Sequence, residues 1–300
     1  MNNAFPDLPV GFKKWVLGAR PRTLPAAIVP VLVGTACASG SVQPTWWRAL
    51  LALVVSLSLQ IGVNYANDYS DGVRGTDSVR VGPLRLVGSG AASATAVKRA
   101  ALLMLFIAAI AGLALAVLTT LWLLVIGAAA LVATWTYTGG PKPYGYMGLG
   151  ELFVFIFFGV VATVGSQFAV SETVTATGWL ASIAVGCFAC ALLVINNLRD
   201  IPGDTVASKK TLAVKMGDVA TRKFFAFLIV LAACAIAGTA ATAGIFSLAG
   251  LVGVVATRPA MEAVARGAKG RELILVLGNV GRAQMIFGVT FAAGLFLALG

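Results

Sequence analysis

Long apolar stretches alternate with short charged segments along nearly the whole chain of 300 residues. Each stretch is compared with the roughly 20 apolar residues that an α-helix needs to cross a membrane. Five uncharged stretches have about the length of one such helix: 23–47, 49–67, 152–171, 173–198 and 283–300. Two more, 100–141 and 224–257, are long enough for two helices each, the second with a turn between Gly238 and Gly244. The pattern predicts an all-α membrane bundle of about nine transmembrane helices, continuous over residues 1–300.

The basic residues lie almost entirely on one side of this predicted bundle. If the N-terminus is cytoplasmic and the helices alternate in direction, 21 of the 22 lysines and arginines fall on the cytoplasmic side, and only Arg48 falls outside. Such a bias is typical of multi-pass proteins of the plasma membrane. The cytoplasmic segments include the loops at about 68–99, 139–149 and 199–223. We interpret the net charge of +11 as a topology signal that also attracts membrane lipids, and not as a nucleic-acid site.

The composition restricts the chemistry. There is no histidine, which removes the usual ligand of haem, zinc and copper. Cys187 and Cys190 form a CxxC pair inside an apolar stretch, where we expect small residues that ease helix packing rather than a redox site. Charged residues make up only 11% of the chain, so a cluster of acids is informative.

Five of the eleven acidic residues occur in two short segments, 64–77 and 196–204. Each segment ends an apolar stretch, and Asp200 follows Asp68 by 132 residues (200 − 68). These positions correspond to the cytoplasmic ends of the second and sixth predicted helices. The chain therefore resembles a parallel internal repeat, with two halves of four helices and one extra helix.

Each segment places its polar side chains on one helix face near a C-terminus. Asn64, Asp68 and Asp71 have i, i+4, i+7 spacing, and Asp200 and Asp204 repeat the arrangement after Asn197. The helix dipole is already negative at a C-terminus, so clustered carboxylates there favour a bound cation. Oxygen ligands without histidine indicate Mg²⁺, or alternatively Mn²⁺. We predict Asp68, Asp71, Asp200 and Asp204 as metal ligands and catalytic residues.

Basic residues follow each acidic segment, and a further lysine lies in the loop between them. They are Arg74, Arg80, Lys142, Lys209 and Lys210. Acids and bases at one face of an apolar bundle predict a metal-bridged diphosphate whose lipid tail lies in the membrane, as in a prenyl diphosphate. Ordinary ion pairs in solvated loops are the alternative.

With these residues, the sequence resembles the UbiA-type intramembrane aromatic prenyltransferases. The similar stretches are the two aspartate motifs, residues 19–23, 81–85, 137–141 and 210–214. The resemblance covers essentially the whole chain and is greatest for members that act on 1,4-dihydroxy-2-naphthoate. It implies Mg²⁺ dependence, Asn67 as a further metal ligand, a polyprenyl diphosphate donor, and loss of CO₂ to give a demethylmenaquinone. The family's third aspartate position is Gly75 here, which puts a metal role of Asp77 in question.

The acceptor needs polar contacts near the allylic carbon. Arg22 is the first candidate, since a guanidinium suits a carboxylate, although a membrane anchor would look the same. The other predicted acceptor contacts are Asn64, Tyr137, Tyr144 and Asn197. Other acceptors stay open: 4-hydroxybenzoate, haem, chlorophyllide or a glycerol phosphate lipid. A transporter is the competing class, but the middle of the predicted bundle is almost free of charge.

Overall fold

The structure, a computed structural model, describes residues 10–75 and 84–300, and within these ranges the regular elements are all helical. The α-helices are α1 (Phe12–Gly18), α2 (Pro25–Cys37), α3 (Arg48–Arg74), α4 (Ala94–Leu118), α5 (Trp122–Thr136), α6 (Gly150–Val154), α7 (Ala162–Ser171), α8 (Ala176–Val206), α9 (Leu212–Ala243), α10 (Leu251–Ala256), α11 (Arg258–Ala265) and α12 (Glu272–Leu299). A π-helical segment, Phe155–Val161, joins α6 to α7 into one continuous helix.

Seven helical segments in the described residues are long and apolar enough to cross a membrane. They are α3, α4, the α6–α7 segment, α8, α9, the segment Ile245–Ala265 and α12. A pair bent by 56°, Phe12–Thr23 with Pro25–Cys37, makes an eighth if it counts as one span. α5 is also apolar but has only 15 residues. The predicted all-α membrane protein with several crossings is confirmed.

The helices that carry the acidic segments run beyond the uncharged stretches from which they were predicted. α3 continues through Asp68 and Asp71 to Arg74, and Gly75 then adopts a left-handed conformation (φ 71°) that glycine tolerates at a helix end. α8 begins where the Thr175 side chain accepts a hydrogen bond from the Gly178 amide, at 3.1 Å. Its last turns contain Asp200 and Asp204. Both sets of acids therefore lie near helix C-termini, as predicted.

α8 forms the centre of the bundle, because most of the residues in its apolar stretch are buried. The π-helical segment lies so close to it that a Cβ added to Gly159 would stand 2.6 Å from the Gly186 Cα. Small residues permit this contact between backbones. Cys187 and Cys190 are buried on the same helix and are free thiols, which fits a packing role. In the 224–257 stretch the predicted turn falls at Gly244 (φ 105°), while Gly238 lies inside α9.

Candidate active site

The ends of α3 and α8 meet at one end of the bundle. Asp71, near the end of α3, accepts a hydrogen bond from the Lys209 ammonium just beyond α8, at 2.9 Å. Both side chains are buried. A contact between residues so distant in the sequence shows that the two acidic segments belong to one site.

Asp71 has several partners at this site. Besides Lys209, it accepts hydrogen bonds from Arg85 (3.2 Å) and from the Tyr146 hydroxyl. Lys209 also lies over the Tyr146 ring, 4.7 Å from its centroid. The Asp71 carboxylate thus faces two buried cations, Lys209 and Arg85.

The loop between α5 and α6, residues 137–149, contacts both the end of α3 and the segment after α8. We call it the bridging loop. The side-chain carbonyl of Asn67 accepts a hydrogen bond from the Thr138 hydroxyl at 2.7 Å, and Arg74 donates to the backbone carbonyl of Thr138 at 2.5 Å. On the other side, the Lys210 amide donates to the Tyr146 carbonyl at 3.1 Å. The bridging loop therefore fixes the separation of α3 and α8 at the site.

Asp68 has a different environment. Its two carboxylate oxygens accept hydrogen bonds from the backbone amides of Leu86 (2.7 Å) and Val87 (2.9 Å), and the side chain is buried. These contacts hold the segment that carries Arg85 against α3. Asp68 thereby positions Arg85, which is a cationic partner of Asp71.

The second acidic segment contains a tightly bound pair. Arg199 donates from Nε and Nη2 to the two carboxylate oxygens of Asp200, at 2.8 and 2.9 Å, and from Nη2 to Asn196 at 2.9 Å. Asp204, one turn further on, is half-buried and is the most exposed of the four predicted catalytic aspartates. Asn197 points elsewhere, donating to the buried Glu151 carboxylate at 2.9 Å.

Aromatic rings line the space beside these helix ends. Tyr137 contacts Tyr144 edge to face, with centroids 5.4 Å apart, and Tyr144 stacks on Phe153 at 4.0 Å. Burial raises the pKa of Tyr137, and the negative charges of Glu151, Asp204 and Asp71 raise it further. Burial, then Asp71, likewise raises the pKa of Tyr146 in the bridging loop, so its hydroxyl stays a donor at neutral pH. Acids from both segments thus act on Tyr137.

A cavity of about 1020 Å³ opens at this end of the bundle. It is larger than most drug-sized ligand sites. Its polar lining includes Arg20, Arg22, Gln60, Asn64, Asn67, Arg85, Tyr137, Tyr144, Asn196 and Arg199. The four predicted catalytic aspartates stand behind this lining in the described part of the chain. The remaining wall is mostly apolar, so the cavity can take a charged group at one end and a hydrocarbon elsewhere.

The predicted acceptor residues divide into two groups. Arg22, Asn64, Tyr137 and Tyr144 all line the cavity, whereas Asn197 does not. Arg22 is exposed, and Asn64 is buried with its amide donating to the Ala19 carbonyl at 2.9 Å.

Four other predicted site residues are either exposed or outside the described residues. Lys142 and Lys210 are exposed. Asp77 and Arg80 lie outside the described residues. Among residues 10–75 and 84–300, no group of three or more histidine, cysteine and acidic side chains is close enough to hold a metal ion.

Sequence reasoning missed Arg199 and Glu151. Arg199 stands within the second acidic segment, two residues after Asn197, so the motif could have revealed it. Glu151 is a single carboxylate at the start of an apolar stretch, and nothing in its spacing indicated that it meets Asn197.

The arrangement agrees with comparison to known sequences, since the profile of the UbiA prenyltransferase family matches residues 27–272. The chain belongs to the UbiA prenyltransferase family. The resemblance inferred from the two aspartate motifs is confirmed. As a member of this family, the protein is an enzyme that transfers prenyl groups, and the transporter alternative is excluded.

Relatives and solved structures of the family match nearly the whole chain. A protein of Mycobacterium tuberculosis named 1,4-dihydroxy-2-naphthoate octaprenyltransferase is 48% identical over 284 residues, 95% of this chain and 97% of the relative. An Escherichia coli protein of the same name is 35% identical, covering 88% of this chain and 94% of the relative. A UbiA homologue from Archaeoglobus fulgidus, bound to GPP and Mg²⁺, has a TM-score of 0.64 at 15% identity over 94% of this chain and 99% of that one. It confirms the fold.

Proposed function

We propose that this protein transfers a polyprenyl group from a polyprenyl diphosphate to 1,4-dihydroxy-2-naphthoate, with release of diphosphate and CO₂. The observation that carries the proposal is the cavity, which joins a cationic, hydrogen-bonding end at the two aspartate motifs to a long apolar wall. Two relatives that cover most of the chain bear this activity in their names. The product is a demethylmenaquinone, as the resemblance implied.

The donor diphosphate is placed at the cationic end of the cavity. Arg85 and Lys209 supply buried positive charge beside Asp71. Arg74, also a predicted diphosphate contact, holds the bridging loop through the Thr138 and Gly140 carbonyls. Lys142 and Lys210 are exposed and attract the diphosphate from the rim. Arg80 belongs to the proposed set by its position in the sequence.

The chemistry of the donor set fits a hard cation, because every predicted metal ligand offers oxygen. Mg²⁺ in phosphate sites is typically held by one or two carboxylates, with phosphate oxygens and water completing the shell. Asn67, Asp68, Asp71, Asp200 and Asp204 are the residues that would hold it. Asp204 is the most exposed of these acids, so it is the one most accessible to a metal-bound diphosphate. The chemistry supplied by the bound ion is neutralisation of charge on the departing diphosphate.

The protein's aromatic side chains act on the other product of that bond cleavage. The allylic C–O bond breaks, its electrons leave with the diphosphate, and an allylic cation remains in the cavity. Tyr144 and Tyr137 line this space, and aromatic faces stabilise a nearby cation. The apolar wall excludes water, which would otherwise capture the cation.

The acceptor enters beside these rings. Its ring carbon supplies the electron pair for the new C–C bond, and its carboxylate leaves as CO₂, returning that bond's electrons to the ring. Arg22 is the proposed partner of the carboxylate, since it is exposed at the cavity wall and carries a guanidinium fork. Asn64, Tyr137 and Tyr144 offer hydrogen bonds from the same wall, whereas Asn197 acts through Glu151.

The number of membrane crossings, the internal repeat and the orientation in the membrane also belong to the proposal. We infer nine crossings, counting the bent N-terminal pair and the short α5, in a single domain over 1–300. The meeting of the α3 and α8 C-termini supports a parallel repeat with one extra helix. The distribution of the basic residues favours insertion in the plasma membrane with the N-terminus and the active site on the cytoplasmic side. The exception, Arg48, begins α3 at the opposite end, where it pairs with Glu172 at 2.6 Å.

The experiment that tests the function is a transfer assay with the purified protein in liposomes. Labelled octaprenyl diphosphate is supplied with 1,4-dihydroxy-2-naphthoate, with 4-hydroxybenzoate, with haem, with chlorophyllide or with a glycerol phosphate lipid, each with Mg²⁺ or with a chelator. We expect Mg²⁺-dependent label only in the naphthoate product. A higher kcat/KM with another acceptor overturns the acceptor, and absence of transfer to all of them overturns the function.

A further inference from the structure

The cavity continues far beyond the polar residues that the reaction needs. On α3 its wall runs from Asn67 back to Ala52, a distance of about 22 Å at the helical rise. Furthest from these polar residues, the lining includes Thr120, Trp122, Val174 and Trp179, at the opposite end of the bundle. Trp122 and Trp179 are exposed there. A short prenyl chain would leave most of this depth empty.

Two glycines form bare patches on the deep part of the wall. Gly127 on α5 and Gly165 on α7 both line the cavity. A Cβ added at either position would meet no atom within 4 Å. Helix packing therefore does not require glycine there, in contrast to Gly159 and Gly186, whose backbones touch.

Glycine inside a helix carries a cost in stability relative to alanine, because its backbone loses more freedom on folding. Neither position has a positive φ that would call for glycine. At these two positions the missing side chain leaves space open along the cavity wall. At the helical rise, Gly127 lies roughly 15 Å from Tyr137, which follows α5, and Gly165 lies roughly 18 Å from Phe153 near the start of the α6–α7 segment.

We propose that Gly127 and Gly165 determine the length of prenyl chain that this enzyme accepts, by keeping open the deep part of the cavity through which a long chain passes. This inference rests on the proposed prenyl transfer. The substrate class is a long, unsaturated, branched hydrocarbon diphosphate whose distal units lie past both glycines. A short chain ends before it reaches either of them.

The test compares a long and a short donor in the same preparation. Gly127→Leu and Gly165→Leu each add a bulky side chain at a position where the Cβ has open space, and leucine favours the helix. We expect kcat/KM for octaprenyl diphosphate to fall at least tenfold. For geranyl diphosphate it stays within about twofold of wild type, so the ratio of the two constants falls by a similar factor.

Gly278→Leu is the matched control. Gly278 lies on α12, also has no atom within 4 Å of an added Cβ, and is not among the residues lining the cavity. For this variant, the ratio of kcat/KM with octaprenyl diphosphate to kcat/KM with geranyl diphosphate should equal that of wild type. The milder Gly127→Ala and Gly165→Ala should shift the ratio in the same direction as the leucine variants but less.

Several outcomes overturn the inference. A chain that leaves the bundle sideways into lipid would pass neither glycine, and the ratio would then be unchanged in all variants. An equal loss with both donors would also overturn it, because transfer of the short donor reports the folded site. Failure of the wild type with both donors would instead reject the proposed function.

Discussion

The Lys209 ammonium lies 2.9 Å from an oxygen of Asp71, a residue 138 positions earlier in the chain. This buried contact brings the two halves of the site together. Arg85 and Tyr146 share the same carboxylate from two further segments. Asp71 therefore has a structural role as well as the proposed chemical one, and the two roles can be separated by comparing it with Asp204.

Asp71→Asn should reduce both activity and stability. Loss of the carboxylate removes a partner of two buried cations, Lys209 and Arg85, which costs about 3–5 kcal/mol. Turnover should fall by about 10² or more, since metal-assisted departure of the diphosphate contributes several kcal/mol. Thermal unfolding in detergent and product formation in liposomes measure the two effects.

Asp204→Asn is the matched variant. Asp204 is half-buried, so the same change should lower turnover by about 10² while the Tm stays near that of wild type. If Asp71→Asn and Asp204→Asn both keep near-normal turnover, the two-motif metal site is wrong.

Lys142→Ala and Lys210→Ala should raise the KM of the donor and leave the KM of the acceptor nearly unchanged. Both lysines are exposed, so each contact contributes roughly 0.2–1 kcal/mol, equivalent to at most about fivefold in KM. The difference from wild type should shrink as salt screens the charges. Kinetics at two salt concentrations give the result, with the exposed Lys269→Ala as control. An effect on the acceptor alone would remove these lysines from the diphosphate site.

Arg22→Lys should raise the KM of the acceptor by tenfold or more at constant donor KM and constant protein level. The substitution keeps the positive charge but loses the planar fork that binds a carboxylate through two hydrogen bonds. Arg258→Lys, an exposed arginine of α11 that is not among the lining residues, serves as control. Wild-type kinetics for Arg22→Lys would make this residue a membrane anchor only.

Tyr144→Leu should lower kcat about tenfold, whereas Tyr144→Phe should keep most of it. The phenylalanine variant retains the aromatic face that stabilises the allylic cation, and an interaction of this kind contributes about 1–2 kcal/mol. Single-turnover measurements separate this step from product release. An equal loss in both variants would point to the hydroxyl, and thus to an acceptor contact, instead of the ring.

Much of the fold could be predicted because a membrane protein must bury apolar helices of defined length. The apolar stretches became helices, and the acids fell at the ends of α3 and α8 as their spacing indicated. The bend between α1 and α2 was not predictable, since residues 23–47 looked like a continuous crossing, yet α2 ends at Cys37.

The contacts within the site were less predictable, because they depend on which loops meet. Spacing alone could not show that Asp68 binds the Leu86 and Val87 amides, or that Asp200 pairs with the adjacent Arg199. Asn197 shares its motif with Asp200 but donates a hydrogen bond to Glu151, a carboxylate that comes from a distant part of the sequence.

The central claim is that the diphosphate lies between the ends of α3 and α8 with its chain inside the bundle. The most direct test is a structure of the protein in nanodiscs with Mg²⁺ and a non-hydrolysable polyprenyl diphosphate analogue. We predict phosphate density within hydrogen-bonding distance of Lys209 or Arg85 and chain density along the cavity wall past Tyr144. Phosphate density at the opposite end, beside Arg48 and Glu172, or a chain lying entirely outside the helices, would contradict the account.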